Sequence, residues 1–206
     1  MSAVSSESLR RGTGELPLPL PWGEAGNRLG IELDRGATYR LLCHTARQKQ
    51  QILETLARQD GVAILSQNGG LLNHLSLREN LLLPSAYHGA EELQDEVAQE
   101  ATDLLRECGV GRSPEALAAW LQASPSGMGK LERRLTGFVR ALLSRPTLLV
   151  FDHVFEGLTR AEGERVQDWR RLLQQHLPLR TALFVDLDFN GLPNLDNCHV
   201  ATDSSH

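Results

Sequence analysis

Nothing in this sequence approaches the roughly 20 consecutive apolar residues that a membrane-crossing helix requires. The opening MSAVSSESLRRGTGELPLPLPWG has two arginines but no apolar segment behind them. The expectation is a chain that is neither secreted by a signal peptide nor inserted directly into a membrane. Cysteine is scarce and odd in number: Cys43, Cys108 and Cys198 have no paired spacing. A disulfide framework and a CxxC metal site are therefore excluded, and a reducing compartment is expected. Positive charge is in deficit, with 21 Lys and Arg against 26 Asp and Glu and a net charge of −5. That balance argues against a protein that binds nucleic acid through a basic face. There is no internal repeat, and the seven histidines form no ligand cluster.

What is present is a chain of 206 residues with 41% apolar and 23% charged residues, enough for one core-bearing domain or two small ones. Residues 1–24 are rich in Ser, Gly and Pro and read as a flexible arm that ends in extended structure at PLPLP. Beyond them, short apolar runs alternate with longer helical patterns. LGIEL (29–33) and YRLLC (39–43) read as strands, and QKQQILETLAR (48–58) puts Ile52, Leu53, Leu56 and Ala57 on one helical face. GVAILSQ (61–67), TLLVFD (147–152) and TALFV (181–185) read as buried strands. A helical stretch, 89–121, interrupts them: Leu93, Val97, Leu104 and Leu105 form an apolar stripe, and Ser113-Pro114-Glu115 is a cap followed by proline. Further helices are expected over 130–143 and after Thr159, where Glu162 completes a capping box. The pattern is that of an α/β domain whose sheet is mostly parallel and covered on both faces.

One segment carries a chemical hint. The strand LLVFD ends in Asp152 after a helix and an SRP turn, the place where phosphate-binding ATPases put an aspartate that holds Mg²⁺. A strand whose last residue merely caps the next turn fits the same segment equally well.

Order along the chain adds what the segment lacks. Gln67 ends a strand and is followed by NGGLLNHLSLRENLLLPSAYHG, and LERRLTGFVRALLSRPTLLVFDHVFEGL follows later, with Arg140-Ala141-Leu142, Pro146 and Asp152 in fixed spacing. These two blocks resemble the glutamine-bearing loop and the signature-to-aspartate block of ABC-transporter ATP-binding domains, and the resemblance covers about residues 26–200. It implies a P-loop NTPase-like α/β fold over 25–206, with an inserted helical subdomain at about 86–135 and a reduced β-subdomain, since only Gln59-Asp60 separate the first helix from GVAILSQ. The wording after Gln67 looks most like ATPases of bacterial lipid-transport systems with MCE partners of the Mla type, or related importer and lipoprotein-release ATPases.

The same resemblance locates departures. A phosphate loop reads GxxxxGK[ST], because glycine lets backbone amides curl around phosphate, lysine reaches the terminal phosphates and the hydroxyl meets Mg²⁺. The corresponding residues are Cys43-His44-Thr45-Ala46-Arg47-Gln48-Lys49-Gln50, in which Lys49 is kept while Cys43, Ala46, Gln48 and Gln50 replace the glycines and the hydroxyl. Side chains there are expected to fill the phosphate nest. Ser126-Gly127-Met128-Gly129-Lys130 contains Gly-Lys but occupies the signature position, intact in neither register. His153 stands where the family has its catalytic glutamate, Thr159 at the D-loop aspartate, and Leu187, flanked by Asp186 and Asp188, at the switch histidine. Trp22 is an aromatic that could stack on a base or edge a core.

The resemblance therefore implies a degenerate ATP-binding subunit acting as a structural or regulatory partner in a membrane transport complex. Its partners would be a permease subunit and a second ATP-binding subunit, at the cytoplasmic face of a bacterial inner membrane. Lys49, Gln67 and Asp152 are its candidate ATP and Mg²⁺ positions, and His153 is the candidate base. Two alternatives stand beside it: a working ABC ATPase that powers transport, and a small α/β protein unrelated to the family.

Overall fold

Five strands run parallel in one sheet, and the reason is visible in how the chain returns to it after each helix. The structure is a computed structural model and describes residues 17–21, 28–87, 94–111, 113–187, 193–195 and 198–202. Trp22, Asp188 and most of the N-terminal arm lie outside the described residues. The arm's PLPLP segment is β1 (Pro17–Pro21), paired antiparallel with β2 (Arg28–Glu32) as a separate two-stranded sheet. The extended structure expected at PLPLP is thus present, as a paired strand.

The main sheet is built from β3 (Thr38–Cys43), β4 (Val62–Leu65), β5 (Leu148–Asp152), β6 (Thr181–Leu187) and β7 (Cys198–Thr202). Its order is β4-β5-β6-β3-β7. Four of its strands were expected close to these bounds; β7, alongside β3, was not anticipated. Successive side chains of a strand face opposite ways, and the core divides accordingly. Leu148, Val150, Leu183 and Val185 join Leu41 and the apolar face of α1 (Ala46–Leu56), which contributes Ile52, Leu53 and Leu56. Leu149, Phe151, Ala182 and Phe184 face the other way, onto α5 (Lys130–Leu143) and α6 (Arg160–His176).

Between β4 and α5 come α2 (Leu77–Tyr87), α3 (Gln94–Glu107) and α4 (Pro114–Gln122). The helical group thus begins at Leu77, earlier than the boundary read at about 86. Pro84 inside α2 breaks the sequence pattern without ending the helix. Its start is fixed by Ser76, whose hydroxyl accepts from Glu79 N while the Glu79 carboxylate accepts from Ser76 N. Leu81, Leu104, Leu105 and Leu117 carry this group's apolar faces into the same core as α5. The bounds of α5 coincide with the sequence reading. Its first turn is closed by Glu132, whose carboxylate accepts from Gly129 N at 2.9 Å.

Gly137 lets α5 lie directly against the turn after β4. A Cβ there would fall 2.8 Å from Leu65 Cδ1 and 2.9 Å from the Cα of Gly69. Gly69 and Gly70 themselves hold φ of 77° and 63°, a region that glycine enters at little cost. This close approach positions the residues that follow β4 against α5, at the sheet edge where the candidate site lies.

Candidate functional site

The register of the sheet aligns the relevant strand ends. Leu65 lies opposite Phe151, Asp152 opposite Val185, and Cys43 opposite Leu187. Gln67, Asp152, His153 and the link from β3 into α1 therefore share one carboxyl-terminal edge of a parallel sheet, where open α/β folds place their ligands.

Only His44 and Thr45 separate β3 from α1, so the segment assigned to a phosphate loop is largely the first turn of a helix. Thr45 caps that helix: its hydroxyl accepts from Gln48 N at 3.1 Å, and its carbonyl accepts from Lys49 N. The Gln48 side chain folds back so that its Oε1 accepts from His44 N at 3.1 Å. Two amides that a curled loop would turn toward an anion are thus bonded to the segment's own side chains. Gln50 faces along the helix, where its amide donates to Glu54.

Lys49, in the first turn of α1, ion-pairs with Asp152 at the end of β5. Their side chains are 14% and 15% exposed, so this opposite-charge pair is largely shielded from water. A cation from a helix N-terminus and a carboxylate from the adjacent strand end are brought together although 103 residues separate them in sequence. Asp152 and the Gln67 side chain supply hard oxygen atoms of the kind that hold Mg²⁺, and Lys49 supplies a cation for phosphate. These residues fit a magnesium nucleotide. The loop amides, being internally bonded, add less than an open phosphate nest would.

No family model matches the chain. Over 120 residues, 58% of this chain, it is 30% identical to the macrolide export ATP-binding/permease protein MacB of Rhodopirellula baltica, of which the match covers 16%. Over 137 residues, 66% of this chain, it is 29% identical to the molybdenum import ATP-binding protein ModC of Rhodopseudomonas palustris, of which the match covers 33%. The chain thus spans a third or less of the curated relatives it matches. Among solved structures, the dimeric bacterial ABC transporter cassette MJ0796 superimposes with a TM-score of 0.63 at 15% identity, covering 84% of each chain. The cbiO1 protein of Clostridium perfringens, part of the ABC transporter complex cbiONQ, gives 0.63 at 11% identity over 84% of this chain and 77% of that one. In sequence the chain is similar to ABC-transporter ATP-binding proteins, and it shares the fold of ABC-transporter cassettes. An unrelated small α/β protein is thereby set aside.

Within this cassette, His153 is turned inward. Its backbone is left-handed, with φ of 50°, and the side chain is 6% exposed. Leu187 N donates to its Nδ1 at 3.4 Å, and that nitrogen lies 3.6 Å from the buried carboxylate of Asp186. Nε2 lies 3.5 Å from Glu156 Oε2. Thr159, at the D-loop aspartate position, is the N-cap of α6: its hydroxyl accepts from Glu162 N, and the Glu162 carboxylate accepts from Thr159 N. Leu187 ends β6. In the signature segment, Pro125–Gly127 form a short 3-10 turn, Gly129 is the N-cap of α5, and the Lys130 side chain lies over Gly157. Its Gly-Lys pair is therefore a helix start and not a second phosphate loop.

Two residues at the cassette's edge escaped the sequence reading. Arg134 is almost fully buried in α5 and donates from Nε to Gln67 O at 2.6 Å, from Nη1 to Val154 O at 2.9 Å and from Nη2 to Glu156 O at 2.8 Å. Burial draws its pKa below the ordinary arginine value, against the opposing pull of Glu156 and Glu162. Its spacing gave a usable signal, since an arginine three residues after Leu131 and one before Leu135 falls in the helix's inward row. Glu156 is the other: its Oε2 accepts a hydrogen bond from Gln67 Nε2.

Proposed function

We propose that the chain is the ATP-binding subunit of a membrane transport complex, holding Mg-ATP through Lys49, Gln67 and Asp152 but turning it over poorly. The observation that carries this reading is the meeting of Lys49 and Asp152 at the carboxyl-terminal sheet edge, beside a β3-to-α1 link whose His44 and Gln48 amides are bonded internally. Lys49 would meet the terminal phosphates, while Asp152 and Gln67 would orient the metal. When bound, Mg²⁺ supplies charge neutralisation of the phosphates. With Gln50 committed to Glu54 and His153 buried against Asp186, the positions of the metal hydroxyl and the catalytic glutamate contribute no group of the usual kind. Phosphoryl transfer depends on positioning and charge stabilisation, so these replacements favour retention of nucleotide over rapid hydrolysis.

A permease subunit and a second cassette are the partners this role requires, with the nucleotide state of the chain regulating or bracing the complex. The relatives support it by name: one joins an ATP-binding part to a permease, and another is part of a transporter complex. Among the described residues no helix is long and apolar enough to cross a membrane, so contact with the bilayer would pass through a partner at its cytoplasmic face. Calorimetric titration with Mg-ATP tests the reading. Saturable binding that disappears in Lys49→Ala is expected, and no heat from the unaltered protein would overturn it.

A further inference from the structure

The position that the family pattern reserves for a carboxylate holds a histidine, yet a carboxylate stands at the same edge from three residues further on. Glu156 Oε2 accepts from Gln67 Nε2, and the Glu156 side chain is half exposed, open to a ligand and to water. His153, by contrast, is enclosed between Leu187 N, Asp186 and Glu156. Arg134 fixes the arrangement from behind. One guanidinium bonds the main-chain carbonyls of both Gln67 and Glu156, so that it sets the two backbones whose side chains then meet. The left-handed turn at His153 redirects the chain after β5, and Gly157, with φ of 65°, bends it again immediately after Glu156. The result is a half-exposed carboxylate held beside the Gln67 amide, just beyond the end of the strand that carries Asp152.

We propose that Glu156 is the catalytic carboxylate of the slow ATP hydrolysis this chain performs, a step that rests on the nucleotide-binding reading above. The water oxygen attacks the γ-phosphorus while its proton passes to the Glu156 carboxylate. The bond from the γ-phosphorus to the β,γ-bridging oxygen breaks, and its electron pair leaves with ADP. The proton is released with inorganic phosphate. Gln67 orients the Glu156 carboxylate, and His153, through its contacts with Asp186 and Leu187, is a positioning residue.

Glu156→Gln separates this role from a structural one. The amide oxygen of the new side chain still accepts from Gln67, so the contact survives while the proton acceptor is lost. The purified chain, in excess over radiolabelled Mg-ATP, gives a single-turnover rate, and calorimetry on the same samples gives affinity. The expected result is a rate lower by about 10²-fold in the variant with Mg-ATP affinity essentially unchanged. Equal rates for the two proteins, or Mg-ATP binding by the unaltered chain without any turnover, would overturn the assignment to Glu156 and leave the nucleotide-binding reading standing. Absence of binding by the unaltered chain would overturn both.

Discussion

Arg40 and Asp186 face each other across neighbouring strands at 3.0 Å, with side chains 7% and 0% exposed. Arg40 lies opposite Phe184 in the register, so its diagonal neighbour on the same sheet face is Asp186. The guanidinium also donates from Nη1 to Pro193 O at 2.7 Å and lies over the rings of Phe155 and Phe184. No N–H of Arg40 is aligned as a hydrogen bond on the carboxylate, so the two are held together by charge and packing. Removing one partner strands the other in an apolar interior. Arg40→Met is expected to cost about 3–5 kcal/mol in urea unfolding, while the double change Arg40→Met with Asp186→Leu should recover much of that loss. Strictly additive losses would show that the pair is not coupled.

Asp152 carries the metal in the proposed site. Mg²⁺ should therefore strengthen ATP binding by the unaltered chain, and Asp152→Asn should reduce that enhancement by about 10–100-fold. The comparison is calorimetric, with Mg²⁺ and with chelator; a variant that keeps the full metal effect would exclude Asp152 as its anchor.

Gly137 is a packing residue whose replacement acts on two elements at once. A side chain there must displace Leu65 and the Gly69 turn, so Gly137→Val is expected to lose about 1–3 kcal/mol of stability. It should also loosen Gln67, and denaturant midpoints read beside Mg-ATP affinity would register both effects. A stable variant with weakened nucleotide binding would place the strain wholly in the turn after β4.

Cys108 predicts a pH dependence. Burial, with a smaller contribution from Glu107, pushes its thiol up to about 12, and burial pushes Cys198 up to about 11. Both shifts favour the protonated form in the folded chain. The unfolded chain loses these protons first, so stability is unaffected below about pH 8.5 and falls as pH rises from there toward the folded values. Alkylation of native protein at pH 8 should be slow at both residues compared with urea-unfolded protein, and mass spectrometry of labelled peptides would measure it.

How much of this could be read from the chain depends on whether a residue's role was local. Thr159 with Glu162, and Ser113 with Pro114, announce their helices because a cap is a contact over three residues. The alternating faces of LLVFD and TALFV likewise divide between the two cores. Arg40 inside YRLLC gave no such warning, because its partner lies on a strand that neighbours it only once the sheet is assembled. The same holds for Glu156. The family pattern directs attention to His153, next to Asp152, whereas Glu156, three positions beyond the left-handed turn at that histidine, is the carboxylate that meets Gln67. The five-residue strand β7 escaped because CHVAT is too short to show a periodicity of its own and is defined by its pairing with β3.

Strand β3 is flanked by β6 on one side and β7 on the other, both drawn from the far end of the chain. During synthesis it therefore emerges long before either neighbour exists, with two unpaired edges and an apolar face lacking most of its cover. The sheet cannot close in the order of translation. Its centre forms only when residues 181–202 arrive, so folding of this domain is a late and largely concerted event, and a ribosome stalled before β6 would present a nascent chain exposed to chaperones and to edge-to-edge aggregation.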